Sequence, residues 1–327
     1  MIFGAENIRL TGRWHTAQDG SVVTTACGSA AEFAFCGKSA VIHFNIDYMK
    51  HPYPHIWLCV DGGAYTECVI DRFLRVEANT DGEHMVKIVL KSCVEMQHRW
   101  FAPLEAKLHI QGVEAESVPP LPCDERPVIE FVGDSITEGI LVDEKQRKIE
   151  ATDFLNDQDN RVYQDDVRGA YAYRTAELLN CRAAIFAYGG VGITKGGSGG
   201  VPKAAAIYNY CFDGAECIGY TPDTVVVNYG ANDWSQPSEK YLAGYEELLC
   251  VIRAKHRDAK IVILNAFSGV FAEKLSLFAG EFNKKYSDNV YYINIAEKIP
   301  VGPVHPSRET HAIIAEHLAE ELKKILA

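Results

Sequence analysis

Positive charge is in short supply in this sequence. Its 32 Lys and Arg residues stand against 44 Asp and Glu, a formal net charge of −12. That balance leaves no broad basic surface and argues against a nucleic-acid or anionic-membrane partner. Long hydrophobic runs are also missing: no stretch approaches the roughly 18 apolar residues of a membrane span. The opening MIFGAENIRLTGRW has no basic flank followed by a long apolar run, so no signal peptide is read. The ten cysteines include no close CxxC pair, the nearest two being Cys211 and Cys217. Such spacing argues against a zinc site, and the cysteines are expected to be reduced and mostly buried. There is no internal repeat.

The 327 residues suit two domains better than one, and the two halves have different rhythms. In the first, AVIHFNI alternates Ile42, Phe44 and Ile46 with His43 and Asn45. VKIVLK alternates Val86, Ile88 and Leu90, and KLHIQ alternates Leu108 and Ile110. A period of two marks strands with one buried face. VDGGAY at 60–65 reads as a turn between two such runs. Short strands without a long amphipathic helix predict a jelly-roll sandwich over residues 1–118. ESVPPLPCDERP carries four prolines, and a stiff linker is placed at 119–127.

Beyond it, VIEFVG, TVVVNYG and KIVILNAF are continuous apolar runs. Buried parallel strands read this way because both faces are covered. Helical patterns lie between them. RGAYAYRTAELL places Tyr171, Leu178 and Leu179 near one face, and SEKYLAGYEELLCVIRAKH spaces Leu242, Tyr245, Leu249 and Ile252 helically, with Ser238 as N-cap. The closing SRETHAIIAEHLAEELKKIL is amphipathic, with lysines near its end. Residues 128–327 are therefore expected to form an open α/β parallel sheet flanked by helices, with its ligand site at the carboxyl ends of the strands. The polar segment 143–168 reads as a surface excursion.

Four blocks fall where such a sheet puts its site: Gly133-Asp134-Ser135, YGGVGITKGG with Gly192, Gly230-Ala231-Asn232-Asp233, and PVHPSRETH with His305. A serine needs a neighbouring base to become a nucleophile. Ser135 is the candidate nucleophile and His305 its base. The backbone N–H groups of Ser135 and Gly192 and the Asn232 amide are candidate oxyanion donors. Taken singly, each block has a plainer reading as a turn, a flexible loop or a cap. Asp134 reads as structural, and His311 as a helix-face residue. This set carries out acyl transfer without a metal or a cofactor.

GDSITEG, GGVGIT, GAND and VHP resemble the four blocks of the SGNH (GDSL-type) hydrolases over roughly the last 200 residues. The resemblance implies Ser135 as nucleophile, His305 as base, and Ser135, Gly192 and Asn232 as oxyanion donors. GRWHTAQDGSVVTTACGSAAEFAFCGKSAVIHF looks like the opening of the jelly-roll domain in carbohydrate esterase family 2. That family implies removal of acetyl groups from carbohydrates. The superfamily usually has Asp three residues before the histidine; here the position is Gly302. The expectation is a Ser–His dyad whose imidazole is held by a main-chain carbonyl, with Glu297 and Glu309 as the nearest alternative carboxylates in sequence. Trp234 is expected either at the rim of the cleft, stacking a sugar, or in the core, and Trp100 beside Phe101 either in the cleft or packed at the domain contact. The glycine-rich loop leaves no obvious long apolar channel, which points to a small acyl group. Without an export signal, the expected setting is the cell interior, and the partner an acetylated oligosaccharide. The rival readings are an SGNH lipase or thioesterase acting on longer acyl esters, and a non-catalytic carbohydrate-binding relic.

Overall fold

The computed structural model describes residues 1–143, 158–218, 220–300 and 302–326. Ahead of the proline-rich segment come β1 (Ile2–Phe3), β2 (Arg9–Thr11), β3 (His15–Thr16), β4 (Val22–Thr24), β5 (Ala30–Cys36), β6 (Ser39–Phe44), β7 (His55–Val60), β8 (Thr66–Val69), β9 (Phe73–Glu77), β10 (Glu83–Ser92) and β11 (Leu108–Glu114). They make two antiparallel sheets. One runs β3-β4-β11-β6-β9, with β1 also paired to β11; the other runs β2-β5-β10-β7-β8. The period-two rule holds in β6, which buries Ala40, Ile42 and Phe44 and leaves the alternate residues half-exposed.

It fails in the second half of β10, where Ile88 to Ser92 are all buried. Helix α2 (Gln158–Gln164), which follows α1 (Ser135–Glu138), covers the second face there. Its Val162 carbonyl accepts from Lys91 Nζ at 2.6 Å and from Ser92 Oγ at 2.7 Å. Within the segment expected to be a surface excursion, residues 144–157 lie outside the described residues. Residues 161, 162 and 164–166 are buried, which corrects that expectation: Arg161, Gln164, Asp165 and Asp166 are polar, yet shielded from solvent.

The second half contains β12 (Val128–Gly133), β13 (Arg182–Ala187), the hairpin β14 (Tyr210–Phe212) and β15 (Ala215–Glu216), β16 (Thr224–Asn228), β17 (Lys260–Leu264) and β18 (Val290–Ile293). Its helices are α3 (Tyr171–Leu178), α4 (Ala204–Ile207), α5 (Ser238–Lys255), α6 (Ala272–Tyr286) and α7 (Arg308–Leu326). The five long strands form one parallel sheet in the order β13-β12-β16-β17-β18. Alternate residues go to opposite faces. Phe131, Val226 and Val262 join Tyr171 and Ile314 in a core that continues into the antiparallel half. Val132, Val227 and Ile263 join Tyr245, Leu248 and Phe278 in a second core. A strand covered on both sides has no polar face, hence the unbroken apolar runs.

Two helix details differ from expectation. Leu178 is 52% exposed, and α3 buries Tyr171, Ala172, Tyr173, Thr175 and Ala176 instead. Ser238 is the first helical residue of α5 and makes no cap; Pro237 holds the N-cap position, and the serine hydroxyl bonds Glu239 at 3.1 Å.

Glu130, inside an apolar strand, is fully buried. Arg13, from the loop after β2, meets it with Nε at 2.9 Å and Nη2 at 2.6 Å. Tyr208 adds a hydrogen bond of 2.5 Å, and Tyr220 donates to the same carboxylate. The guanidinium also lies 4.0 Å from the centroid of the Phe186 ring. Removing one partner of a buried pair leaves an uncompensated charge, at a cost of about 3–5 kcal/mol. Arg13→Met is expected to lower stability by about that amount in urea unfolding, and Arg13→Met with Glu130→Leu to recover much of the loss. Equal loss in the single and double variants would contradict the pairing.

Candidate active site

The parallel sheet switches direction between β12 and β16. The first strand of the sheet in sequence, β12, lies between the second, β13, and the third, β16. An open α/β sheet leaves its crevice at such a switch, beyond the carboxyl ends. The strands finish level: Gly133 pairs with Ala187 on one side and Asn228 on the other. The loops that follow them therefore emerge side by side, carrying Ser135, Gly192 and Asn232.

Asp134 caps α1 through Oδ1, which accepts from Ile136 N at 3.0 Å. Gly139 closes this one-turn helix in the left-handed region, at φ 87°, where a Cβ would stand 2.4 Å from the Asp166 carbonyl. Ser135 opens the helix, so its N–H has no acceptor within it. His305 comes from the loop before α7. Its Nε2 lies 3.0 Å from Ser135 Oγ, a separation suited to proton transfer. Ser135 is 7% exposed and His305 half-buried.

Asp233 fastens the glycine loop to the third block. Its Oδ2 accepts from Ile193 N at 2.9 Å, and its Oδ1 from Thr194 N at 2.9 Å and Thr194 Oγ1 at 2.6 Å. Gly192 has no room for a side chain, since a Cβ would fall 2.8 Å from that carboxylate. Asn232 turns one amide N–H to the Val191 carbonyl at 2.9 Å; an amide carries a second N–H. Gly192 departs from expectation. Its N–H is donated to the Lys195 carbonyl at 3.0 Å, because the loop folds back on itself there.

The tryptophans separate. Trp234 is 72% exposed beside Asn232, as a rim residue would be. Trp100 is 3% exposed and packs edge-on against Tyr188, with ring centroids 6.2 Å apart. It is a core residue between the two halves, which corrects its expected place in substrate binding; Phe101 beside it is 47% exposed. Glu297 accepts from Asn294 at 2.7 Å and Glu309 from Ser307 at 2.7 Å. Gly302 offers no side chain at the position of the missing aspartate. His311 is wholly buried: its Nδ1 accepts from Tyr171 N at 3.1 Å, and burial pushes its pKa down to about 3.

Residues that the motifs did not single out hold these loops. Glu138, on α1, is buried in an ion pair with Arg99 from the antiparallel half, and its Oε2 accepts from Gly189 N at 2.8 Å. Glu95 accepts from Ser198 Oγ at 2.8 Å and pairs with Arg161 at 3.1 Å. The one signal available in sequence was a charged residue, Glu138, within an otherwise uncharged turn after the serine. Among the described residues, no cluster of three or more His, Cys, Asp or Glu side chains is placed to hold a metal, and no helix is long and apolar enough to cross a membrane. Half of the ten cysteines are buried, fewer than expected.

The fold and the four loop blocks are those of an acyl-ester hydrolase. A family profile described as GDSL-like Lipase/Acylhydrolase matches residues 131–320, and the chain belongs to that family. Its relatives include the acetylxylan esterase / glucomannan deacetylase of Cellvibrio japonicus (strain Ueda107), 24% identical over 261 residues that cover 75% of this chain and 68% of that protein. Among solved structures, a family two carbohydrate esterase from Cellvibrio japonicus superposes with a TM-score of 0.80 at 20% identity, covering 99% of this chain and 97% of the other. One from Clostridium thermocellum, in complex with cellohexaose, gives 0.77 at 22% identity, covering 98% and 99%.

Burial raises the Asp134 pKa to about 7, with the negative charges of Asp233 and Glu138 acting in the same direction. An unfolded aspartate titrates near pH 4. Between about pH 4 and that value the folded state holds the extra proton. The carboxyl's contribution to stability is therefore complete below about pH 4 and lost as pH rises towards 7. Asp134→Asn is expected to flatten this part of the stability–pH curve in urea unfolding. A slope unchanged by the substitution would contradict the assignment.

Proposed function

We propose that the protein is a serine esterase that removes acetyl groups from acetylated carbohydrates such as xylo-, manno- and gluco-oligosaccharides. The observation that carries the reading is the 3.0 Å contact between Ser135 Oγ and His305 Nε2 at the sheet's switch point. Ser135 Oγ attacks the ester carbonyl carbon while His305 Nε2 takes its proton. The carbonyl oxygen becomes an oxyanion, met by the Ser135 N–H and the second N–H of Asn232. Gly192 joins them by exchanging the Lys195 carbonyl for the oxyanion. The intermediate collapses, the C–O bond to the sugar breaks, and His305 returns the proton to the leaving hydroxyl. Water then attacks the acyl-serine with His305 as base, releasing acetate and restoring Ser135.

In this reading a main-chain carbonyl at Nδ1 fixes the imidazole tautomer, in keeping with Gly302 at the usual carboxylate position. Trp234 presents an exposed indole face for a sugar ring. The two antiparallel sheets are read as a jelly roll that supports the loops. The relatives' names and a solved neighbour's cellohexaose favour a carbohydrate substrate. The close Ser135–His305 pair counts against a non-catalytic relic.

Acetate release over a panel of acetylated xylo-, manno- and gluco-oligosaccharides tests the substrate class. Ser135→Ala is expected to lower kcat on 4-nitrophenyl acetate by about 10⁴-fold or more, and Asn232→Ala by roughly 10²–10³-fold. Full turnover by folded Ser135→Ala would end the reading.

A further inference from the structure

A cavity of about 480 Å³ has chain neighbours of all three site side chains in its walls. Ile136 follows Ser135, Ala231 precedes Asn232, and Val304 and Pro306 flank His305. Trp234, Phe267 and Ile299 close the remaining sides. The lining carries no charged side chain, and its polar side-chain groups are the hydroxyls of Ser268 and Thr310 and the indole N–H of Trp234. The other large cavities differ. One, between the antiparallel half and α3, is lined by Glu32, Lys87, Arg126 and Glu177; another by Glu67, Lys91, Asp143, Asp166 and Arg308.

A sugar ring placed in the apolar cavity would leave most of its hydroxyls without partners, a costly arrangement. In an acylated carbohydrate the acyl part alone is apolar. An apolar cavity of about 150 Å³ suffices for a benzene ring, so this one has space well beyond an acetyl methyl group. We propose that the cavity is the acyl subsite, and that the enzyme accepts apolar acyl groups of several carbons in addition to acetyl. The inference rests on the serine-esterase reading above and extends its acyl range. It also departs from the small-acyl expectation drawn from the glycine loop. That loop does not line the cavity; Ala231, Trp234, Phe267, Ser268, Val304 and Pro306 do.

The test uses the full chain and 4-nitrophenyl acetate, butyrate and hexanoate, with Ser135→Ala as control. The expected kcat/KM for hexanoate lies above that for acetate or within threefold of it. Two substitutions on separate loops, Ala231→Leu and Ser268→Trp, narrow the cavity. Each is expected to lower the hexanoate-to-acetate ratio of kcat/KM at least tenfold, as loss of several buried methylenes requires. Ser268 is exposed, so its replacement leaves the fold in place if Ala231→Leu does not. Ser135-dependent acetate hydrolysis with hexanoate more than threefold slower, or a ratio unmoved in both variants, overturns the inference and leaves the esterase reading standing. A gain of hexyl acetate over methyl acetate that the same variants abolish assigns the cavity to the alcohol side and also overturns it. Absence of Ser135-dependent hydrolysis on every ester removes the esterase reading and the inference together.

Discussion

The arrangement of the site depends on the buried ion pair between Arg99 and Glu138. Both side chains are shut off from water, at 0% and 1% exposure. Glu138 stands one turn after Ser135 and receives the N–H of Gly189, so a single carboxylate ties the serine helix to the start of the glycine loop. A buried carboxylate persists as an anion only with a counter-charge, and the counter-charge comes from the antiparallel half. Arg99 in turn lies 5.1 Å from the Tyr188 ring centroid. Glu95 repeats the pattern, holding Ser198 and Arg161. The first half of the chain thus clamps the loops of the second.

Much of the architecture was legible because it is local. Period-two alternation and unbroken apolar runs located the strands, and the four blocks located the loops at their ends. The parts that were not legible are relations between distant residues. Arg13 and Glu130 are 117 positions apart, and no local pattern announces that a glutamate in an apolar strand has a partner in the opening loop. Trp100 carries no mark that separates a cleft residue from an interface residue until the chain folds around it. The five buried residues ending β10 broke the alternation for the same reason: their second face is covered by α2.

Asp134 caps the serine helix and Asp233 pins the glycine loop, so the two acidic residues next to the reacting groups are occupied by backbone donors. Asn232 is oriented by one of its own N–H groups, leaving the amide plane set before any substrate arrives. Such preorganisation is what makes hydrogen-bond donors effective toward developing charge. Hydrocarbon surface collects between Ile136, Phe267 and the chain neighbours of His305. The exposed indole of Trp234 is part of that surface.

The central claim is that His305 turns Ser135 into a nucleophile. Its most direct measurement is intact-protein and peptide mass spectrometry after exposure to an alkyl fluorophosphonate, which reacts with activated serine hydroxyls. The account predicts one adduct, on the peptide containing Ser135, and its loss in folded His305→Ala. An unlabelled Ser135 in the folded protein, or labelling that persists undiminished without the imidazole, would contradict it.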